Sequence, residues 1–349
     1  MFWKLVENHS DLNFISKINE EIISDNNPLF IDEASIQLLK YGRENFKFNE
    51  GYNKVHFTCF TAFIKNVYLD PIFFILIKGT NTLIKESIIF NWYQTSFKKF
   101  TFVFILRQYK TIDEAIIFDA KVGLNIFHFY NEILPKIFLV RSNFSNLPLL
   151  IGKELYESKI FQFYLQFDFV KNNNWKIISK NKYLYVKKMY LIKTPEYDTE
   201  KIKLIVNSVL FKTKLCQKNN LKLFINRKKS TGRNIINFDE LKPILLKYNF
   251  KILYLEDISI EEQIDYFSRA KLIIGIHGAG LTNIIFSYKN DPQIIEITAA
   301  DFVPTHYYWL SKKLTYKYNL FLGSNMISKE GKTFFSVNIN RLSNIISSL

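Results

Sequence analysis

The stretch that most constrains this chain runs over residues 271–286, Lys-Leu-Ile-Ile-Gly-Ile-His-Gly-Ala-Gly-Leu-Thr-Asn-Ile-Ile-Phe. Residues 272–276 form an apolar run of the length and character of a fully buried strand. Gly278, Ala279 and Gly280 follow as a tight turn, where glycine permits φ > 0 or a close approach to the backbone. A short helix is expected from Leu281, which puts His277 at the strand's end and backbone N–H groups just beyond it. A helix start of this kind favours an anion by ~0.3–1 kcal/mol at an exposed site. Two readings follow: half of a phosphate site, or a strand–helix turn that needs its glycines only for packing.

The surrounding pattern repeats the strand–helix theme. Strands are expected over residues 221–226, 251–255, 272–276 and 293–298, and helices over 237–248, 259–270 and 281–286. Two of these helices open with capping-box spacing, Asn237 with Glu240 and Ser259 with Glu262. Such alternation predicts a parallel sheet with helices on both faces, and ligands in such sheets bind beyond the strands' carboxyl ends. Those ends carry Arg227, His277 and Glu296. Earlier in the chain, a helix is expected over 32–41. Residues 55–67, 72–77, 82–89 and 100–106 are rich in β-branched and aromatic residues between turn signals, which predicts a small, largely antiparallel β layer. Alternation then begins: strand 115–118, helix 125–141 interrupted at Pro135, strand 147–151, helix 153–166, strands 175–179 and 183–192, a linker at 193–195, and a helix over 199–215.

The length of 349 residues allows two domains, and a hydrophobic fraction of 48% lets each bury a core. Four parts are expected: an N-terminal segment 1–50 with no chemistry assigned, a first domain 51–198 with a β-rich lead-in, a second domain 199–300, and a helical tail 301–349 packing back on them. The net charge of +15 rests on 40 Lys and 7 Arg, dispersed in a sequence also rich in Ile, Asn, Phe and Tyr. An A- and T-rich coding sequence over-supplies those residues, so nucleic acid is not expected as a partner. Anionic headgroups or an anionic substrate fit better. Cys59 and Cys216 have no metal-ligand spacing. The N-terminus lacks the pattern of a secretory signal, and no apolar run approaches the ~18 residues of a membrane span. A cytoplasmic protein is expected, with attachment to the membrane's inner face left open.

Four constellations could carry chemistry. Arg227, Lys228 and Lys229 through Arg233 occupy a strand-to-helix loop, where guanidinium forks and ammonium groups suit phosphate oxygens; the alternative is a solvated basic loop. The glycines Gly275-x-x-Gly278-x-Gly280 do not match the dinucleotide fingerprint in order or position, which leaves a single nucleotide phosphate as the better fit. Glu296 at a strand end could bind a ribose diol, or be an exposed charge. In residues 125–135, His128, Asn131 and Glu132 share a face at helical spacing, and a His with a carboxylate one turn away can act as a general base. A partly buried His at a helix start is the plainer reading. No Asp-x-Asp, P-loop or G-x-S-x-G sequence occurs.

Taken in order, these segments resemble glycosyltransferase family 61. Asn125-Ile-Phe-His128 with Glu132-Ile-Leu-Pro135 is similar to the family's N-Y-x-H…E-x-L-P. Arg227 with Arg233-Asn-Ile-Ile-Asn237 and Glu240 is similar to R…R-x-[IL]-x-N-E, with Phe238 where Glu is usual. Residues 275–283 followed by Glu296 are similar to G-x-H-G-A-G-L-[TS]-N…[VI]-E-[IL]. The resemblance spans roughly residues 60 to 300.

It implies an α/β, GT-B-like fold: two Rossmann-like domains facing across a cleft, here with an N-terminal β-rich extension. It also implies an inverting transferase that moves a sugar from a nucleotide-sugar, commonly UDP-linked, to a hydroxyl of a glycan, polysaccharide or glycolipid, without a bound metal or other cofactor. On this reading Arg227, Lys228, Arg233, His277, Gly278, Ala279, Gly280, Leu281, Thr282, Asn283 and Glu296 bind the donor. His128 or Glu132 is the base, and Asn125 and Asn131 lie on the acceptor side. The rival expectation is a non-catalytic nucleotide- or glycan-binding protein of the same fold.

Overall fold

The computed structural model describes residues 4–6, 10–23, 54–72, 74–79, 82–85, 109–118, 123–144, 146–180, 183–213, 220–228 and 232–349. The helix expected over 32–41, the strand over 100–106, Lys229 and Cys216 lie outside them. The chain is mixed α/β and divides into two compact units, one built on Phe57–Lys201 and the other on Ile202–Leu349.

The first unit is organised on a sheet of nine described strands: β1 (Lys4–Val6), β2 (Asn13–Ile23), β3 (Lys54–Leu69), β4 (Leu76–Lys78), β5 (Thr82–Ile84), β6 (Lys110–Ile117), β7 (Leu149–Gly152), β8 (Trp175–Ile178) and β9 (Leu184–Lys193). Their order is β1-β5-β4-β3-β9-β6-β7-β8, with β2 pairing β3. The β3–β4, β4–β5 and β3–β9 pairs are antiparallel, whereas β9–β6, β6–β7 and β7–β8 are parallel. The antiparallel layer expected from the sequence is therefore one half of a continuous mixed sheet. The 16-residue β3 joins the halves because Ala62 and Ile64 before Asn66 (φ 54), and Val67 and Leu69 after it, are buried with β9 and β6 residues such as Met189 and Ala115. The helix expected over 153–166 is two short ones, Lys153–Tyr156 and Lys159–Tyr164. Ser158 caps the second by accepting from the Phe161 N–H at 3.3 Å.

The second unit carries five parallel strands, β10 (Leu221–Asn226), β12 (Phe250–Tyr254), β13 (Ala270–Ile276), β14 (Gln293–Thr298) and β15 (Lys317–Leu322), in the order β12-β10-β13-β14-β15. β11 (Asn234–Ile235), β16 (Ile327–Lys329) and β17 (Lys332–Phe335) form a small separate sheet. Counted along this unit, the large sheet runs 2-1-3-4-5, a doubly wound order. The chain leaves β10 towards β12 on one side and β13 towards β14 on the other, so the topological switch point lies between β10 and β13. β13 is apolar almost throughout, as a strand covered on both faces must be. Residues 301–349 are not a helical tail alone. They supply β15, the β16–β17 hairpin, and helices His306–Lys313 and Ile339–Ser347, whose Leu342 and Ile346 join the core around Phe224 and Ile295. Among the described residues, no helix is long and apolar enough to cross a membrane.

Of the two expected capping boxes, one forms. Ser259 Oγ accepts from the Glu262 N–H (3.1 Å), and Glu262 accepts from the Ser259 N–H (2.8 Å). Asn237 makes no cap bond. Its amide donates to the Val337 carbonyl (2.9 Å) and its Oδ1 accepts from the Val337 N–H (3.1 Å), so it fastens the segment after β17 to the start of helix Phe238–Lys247. Backbone groups one hundred residues away compete successfully for a side chain whose spacing looks local. Asn237→Ala is therefore expected to lower stability by ~1–3 kcal/mol, as it leaves both Val337 groups without partners. Glu240→Ala, exposed on the same helix, is expected to stay within about 0.5 kcal/mol. Urea unfolding of the two variants checks this; equal losses would restore the capping box.

Candidate functional site

In the second unit the site grows from the switch point. Ile225 pairs with Gly275, so Arg227 and His277 leave neighbouring strands two residues later at the same sheet edge. The Arg227 backbone N–H is held by Asn226 Oδ1 (2.9 Å), and the Asn226 amide in turn donates to the Tyr254 hydroxyl on β12 (2.8 Å). Arg227 Nε donates to the Gly232 carbonyl (3.0 Å). Its guanidinium then lies on Gly278, so closely that a Cβ there would stand 1.9 Å from Nη1. Gly278 has φ 167 and ψ 165, an extended conformation open to any residue. Of the two expected reasons for a glycine here, positive φ or a close approach, the second holds: this glycine is required for the close approach of Arg227.

Arg233 joins from the following turn. Gly232 (φ 71) and Arg233 (φ 58) are both left-handed, and the Arg233 N–H donates to Thr333 Oγ1 (3.0 Å). A non-glycine residue in that region costs ~1–3 kcal/mol, which the surrounding fold must hold in place. The Arg233 guanidinium lies over the Phe302 ring at 5.6 Å. Burial pushes both guanidinium pKa values down, and the charge of Arg233 adds to the effect on Arg227. Two half-buried cations brought together in this way are stabilised by an anion between them. Lys228 stands apart at the surface, paired with Asp257.

The short helix expected from Leu281 is a 3-10 helix that starts two residues earlier, Ala279–Ser287. Its Leu281 N–H donates to the Gly278 carbonyl (2.9 Å) and the His277 N–H to the Ile297 carbonyl (2.9 Å), so neither is presented to a ligand. Leu281, Thr282 and Asn283 are buried; the Asn283 amide donates to Gln263 Oε1 (3.0 Å) and to the Gly280 carbonyl (3.1 Å). These three shape the turn, and Ala279 and Gly280 are its partly exposed residues.

Glu296 differs most from expectation. It is 0% exposed, with one oxygen accepting from His277 Nδ1 and the other from the Tyr318 hydroxyl on β15 (2.5 Å). It cannot reach a ribose without breaking both bonds. With the carboxylate accepting at Nδ1, that nitrogen carries hydrogen and Nε2 is the imidazole's other functional atom. Phe302, His306 and Tyr307 surround the ring at 5.4, 6.3 and 5.3 Å between centroids, and the Tyr307 hydroxyl donates to the Gly278 carbonyl (2.5 Å). Burial pushes the Tyr307 hydroxyl's pKa up, which keeps it a donor at any ordinary pH.

In the first unit, Asn125 Oδ1 accepts from the Phe127 N–H (2.9 Å) and caps the short helix Ile126–His128. A π-helical turn, Phe129–Ile133, follows, marked by the Leu134 N–H bond to the Phe129 carbonyl (2.8 Å). Pro135, which has no N–H to give, stands next and lets Lys136–Asn143 start afresh. A π turn takes more residues than an α turn, so position i+4 stays beneath His128 and i+3 is rotated away. Glu132 Oε1 accordingly lies 2.5 Å from His128 Nδ1, with side chains 19% and 16% exposed. Asn131 is buried, with its amide donating to the Phe127 carbonyl (2.9 Å). Its expected place on the acceptor face is thus not observed.

Sequence reasoning missed Phe302, His306, Tyr307 and Tyr318, although the aromatic run His306-Tyr-Tyr-Trp309 was a visible signal. It also missed Glu196, beside His128 and Glu132 in the first unit.

Gly278→Ala tests the central contact. The backbone conformation accepts alanine, so the fold and its melting temperature should persist while the guanidinium is displaced. Affinity for pyrophosphate is expected to fall about 10- to 100-fold, the loss of one bond to a charged group. Unchanged affinity would remove Arg227 from the site.

Compared with known proteins, residues 126–294 match the family described as Glycosyltransferase 61. No curated protein matches the chain. The match includes His128, Glu132, Glu196, Arg227, Arg233 and the turn 277–283, and it is narrower than the 60–300 expected.

Proposed function

We propose that this chain, whose residues 126–294 belong to glycosyltransferase family 61, is an inverting transferase that takes a sugar from a nucleotide donor, UDP-linked in the simplest case. The acceptor is a hydroxyl of a glycan, polysaccharide or glycolipid. The observation that carries the donor half is Arg227 lying on Gly278 at the switch point, with Arg233 beside it. A diphosphate there would meet two guanidinium forks and the N–H groups of Ala279 and Gly280. These stabilise the leaving group as its charge develops, which is the work a metal does elsewhere, and the reaction is proposed to need none. Glu296 holds His277 in one orientation in place of binding ribose. Nε2 of His277 is then directed to the donor.

The acceptor half rests on His128. With Nδ1–H on Glu132, its Nε2 is the proton acceptor. In a single displacement the acceptor oxygen bonds to the anomeric carbon, the bond from that carbon to the β-phosphate oxygen breaks, and the acceptor's proton passes to Nε2. Bringing both halves to one reaction requires the GT-B arrangement, which is part of the proposal. So is a cytoplasmic setting, with the many lysines giving a peripheral attraction to anionic headgroups.

Purified protein is expected to release UDP or another nucleoside diphosphate from an activated sugar, slowly with water and faster with the right acceptor, and to do so in EDTA. His128→Ala should lower turnover about 10²–10⁴-fold with nucleotide affinity near normal. Arg227→Ala should weaken nucleotide binding itself. Calorimetry with a panel of nucleoside diphosphates decides the donor half; no binding by any of them would sink the reading.

A further inference from the structure

β6 and β9 are parallel neighbours, Ile117 pairing with Leu191, so the chain leaves both at the same sheet edge. Beyond β6 come His128 and Glu132. Directly beyond β9 come Thr194 to Asp198. Two contacts fasten this second segment to the first: the Thr194 hydroxyl donates to the Glu132 carbonyl (3.2 Å), and the Tyr197 ring meets Phe127 edge-on at 6.2 Å. At the second anchor the backbone turns, with Tyr197 in the left-handed region at φ 57. Such strain clusters where a side chain must be aimed. Between the anchors lie Pro195 and one titratable side chain, Glu196.

Its neighbour Asp198 shows what a structural acid does in this segment: it accepts from the Lys201 N–H (3.1 Å) and pairs with the Lys201 ammonium. Glu196, half-buried, makes no hydrogen bond or ion pair among the described residues. The charged groups that act on it are Glu132 and His128 from the helix and Lys193 from the end of β9. Burial and then the charge of Glu132 push its carboxyl above the ordinary range, against the pull of Lys193 and His128. Among the described residues no three His, Cys, Asp or Glu side chains could hold a metal ion, so the trio is not read as a metal site.

We propose that Glu196 is a positioning residue for the acceptor-side base, a second carboxylate that acts with Glu132 to set the proton affinity of His128. This rests on the reading of His128 as that base. Glu132 fixes the tautomer at Nδ1, and when Nε2 takes the acceptor's proton the imidazolium is favoured by the charges of both Glu132 and Glu196. A negative neighbour favours the charged imidazole, so Glu196 raises the pH at which His128 titrates. Removing its charge lowers that pH. Since the base works in its neutral form, the acid limb of the kcat/KM profile then moves to lower pH.

The experiment is an NMR titration of the His128 imidazole in the full-length protein, assigned by its loss in His128→Ala. Glu196→Gln is expected to move the titration down by about half to one pH unit, the effect of losing one partly screened neighbouring charge. Glu196→Asp, with its carboxylate drawn back, should give a smaller shift in the same direction. Both should leave the other histidines where they were. A folded Glu196→Gln protein with an unmoved His128 titration overturns the proposal; if that variant does not fold, an unmoved titration in Glu196→Asp does. The titration needs no substrate, so it stands or falls separately from sugar transfer. A matching shift of the acid limb in active protein then ties His128 to the reaction.

Discussion

The parallel pairing of β10 with β13 is the constraint on which the second unit's site depends. It puts Ile225 beside Gly275, and a Cβ on Gly275 would come within 2.5 Å of Leu281 Cδ2 and 3.2 Å of Ile225 Cβ. The glycine therefore lets the turn at 278–281 fold back onto its own strand. That return brings Gly278 under Arg227, and Gly280 is likewise close to Leu255, whose Cδ1 would lie 2.6 Å from an added Cβ. Three closely spaced glycines do three separate packing jobs, and only Gly278 touches a candidate site side chain, Arg227. The packing and phosphate readings of this turn are consequently not rivals. Close packing is what delivers the guanidinium.

The same logic explains how a carboxylate comes to be enclosed at Glu296. An ionised acid in an apolar interior is costly unless its oxygens are bonded. Here each oxygen has one donor, His277 from β13 and Tyr318 from β15, so the acid bridges three adjacent strands at the edge where the ligand would bind. β15 belongs to the stretch after residue 300, which explains why that stretch is integral to the site. Without β15, Glu296 would lack its second donor. Without Tyr307 from the helix before it, the Gly278 carbonyl would lose one of its two donors and keep only the Leu281 N–H.

Much of this was legible in the sequence where the signal was local. The five-residue apolar run at β13, the Ser259–Glu262 box and the break at Pro135 each follow from neighbouring residues, and the structure shows all three. The two arginines stood out because arginine is scarce in this chain. What escaped were contacts closed over long separations. Asn237 looked like a cap because Glu240 is three residues away, but its partner Val337 is one hundred residues on. Glu296 looked like a strand-end charge because nothing near it in sequence reveals Tyr318. Asn131 looked coplanar with His128 because α-helical spacing was assumed, and the π turn changed the register by less than one residue. Glu196 carried no signal at all, since its relation to His128 exists only because β9 lies beside β6.

Each unit thus contains a histidine bonded to a glutamate through Nδ1, and their construction differs in a way that fits the separate roles proposed for them. The His128–Glu132 couple is local, four residues apart on one turn, and its side chains are 16% and 19% exposed. Water or an acceptor hydroxyl can reach it, and a proton gained there can be returned to solvent. The His277–Glu296 couple is built across two strands and is 7% and 0% exposed, with a third strand holding the acid. Its ring is fixed by Phe302 and Tyr307, so its orientation is determined more tightly and its proton exchanges less readily with water. Proton transfer to and from a changing set of acceptors suits the first couple. A fixed donor or acceptor held at one point of a bound phosphate or sugar suits the second, and this difference in exposure is the physical reason for placing the base at His128.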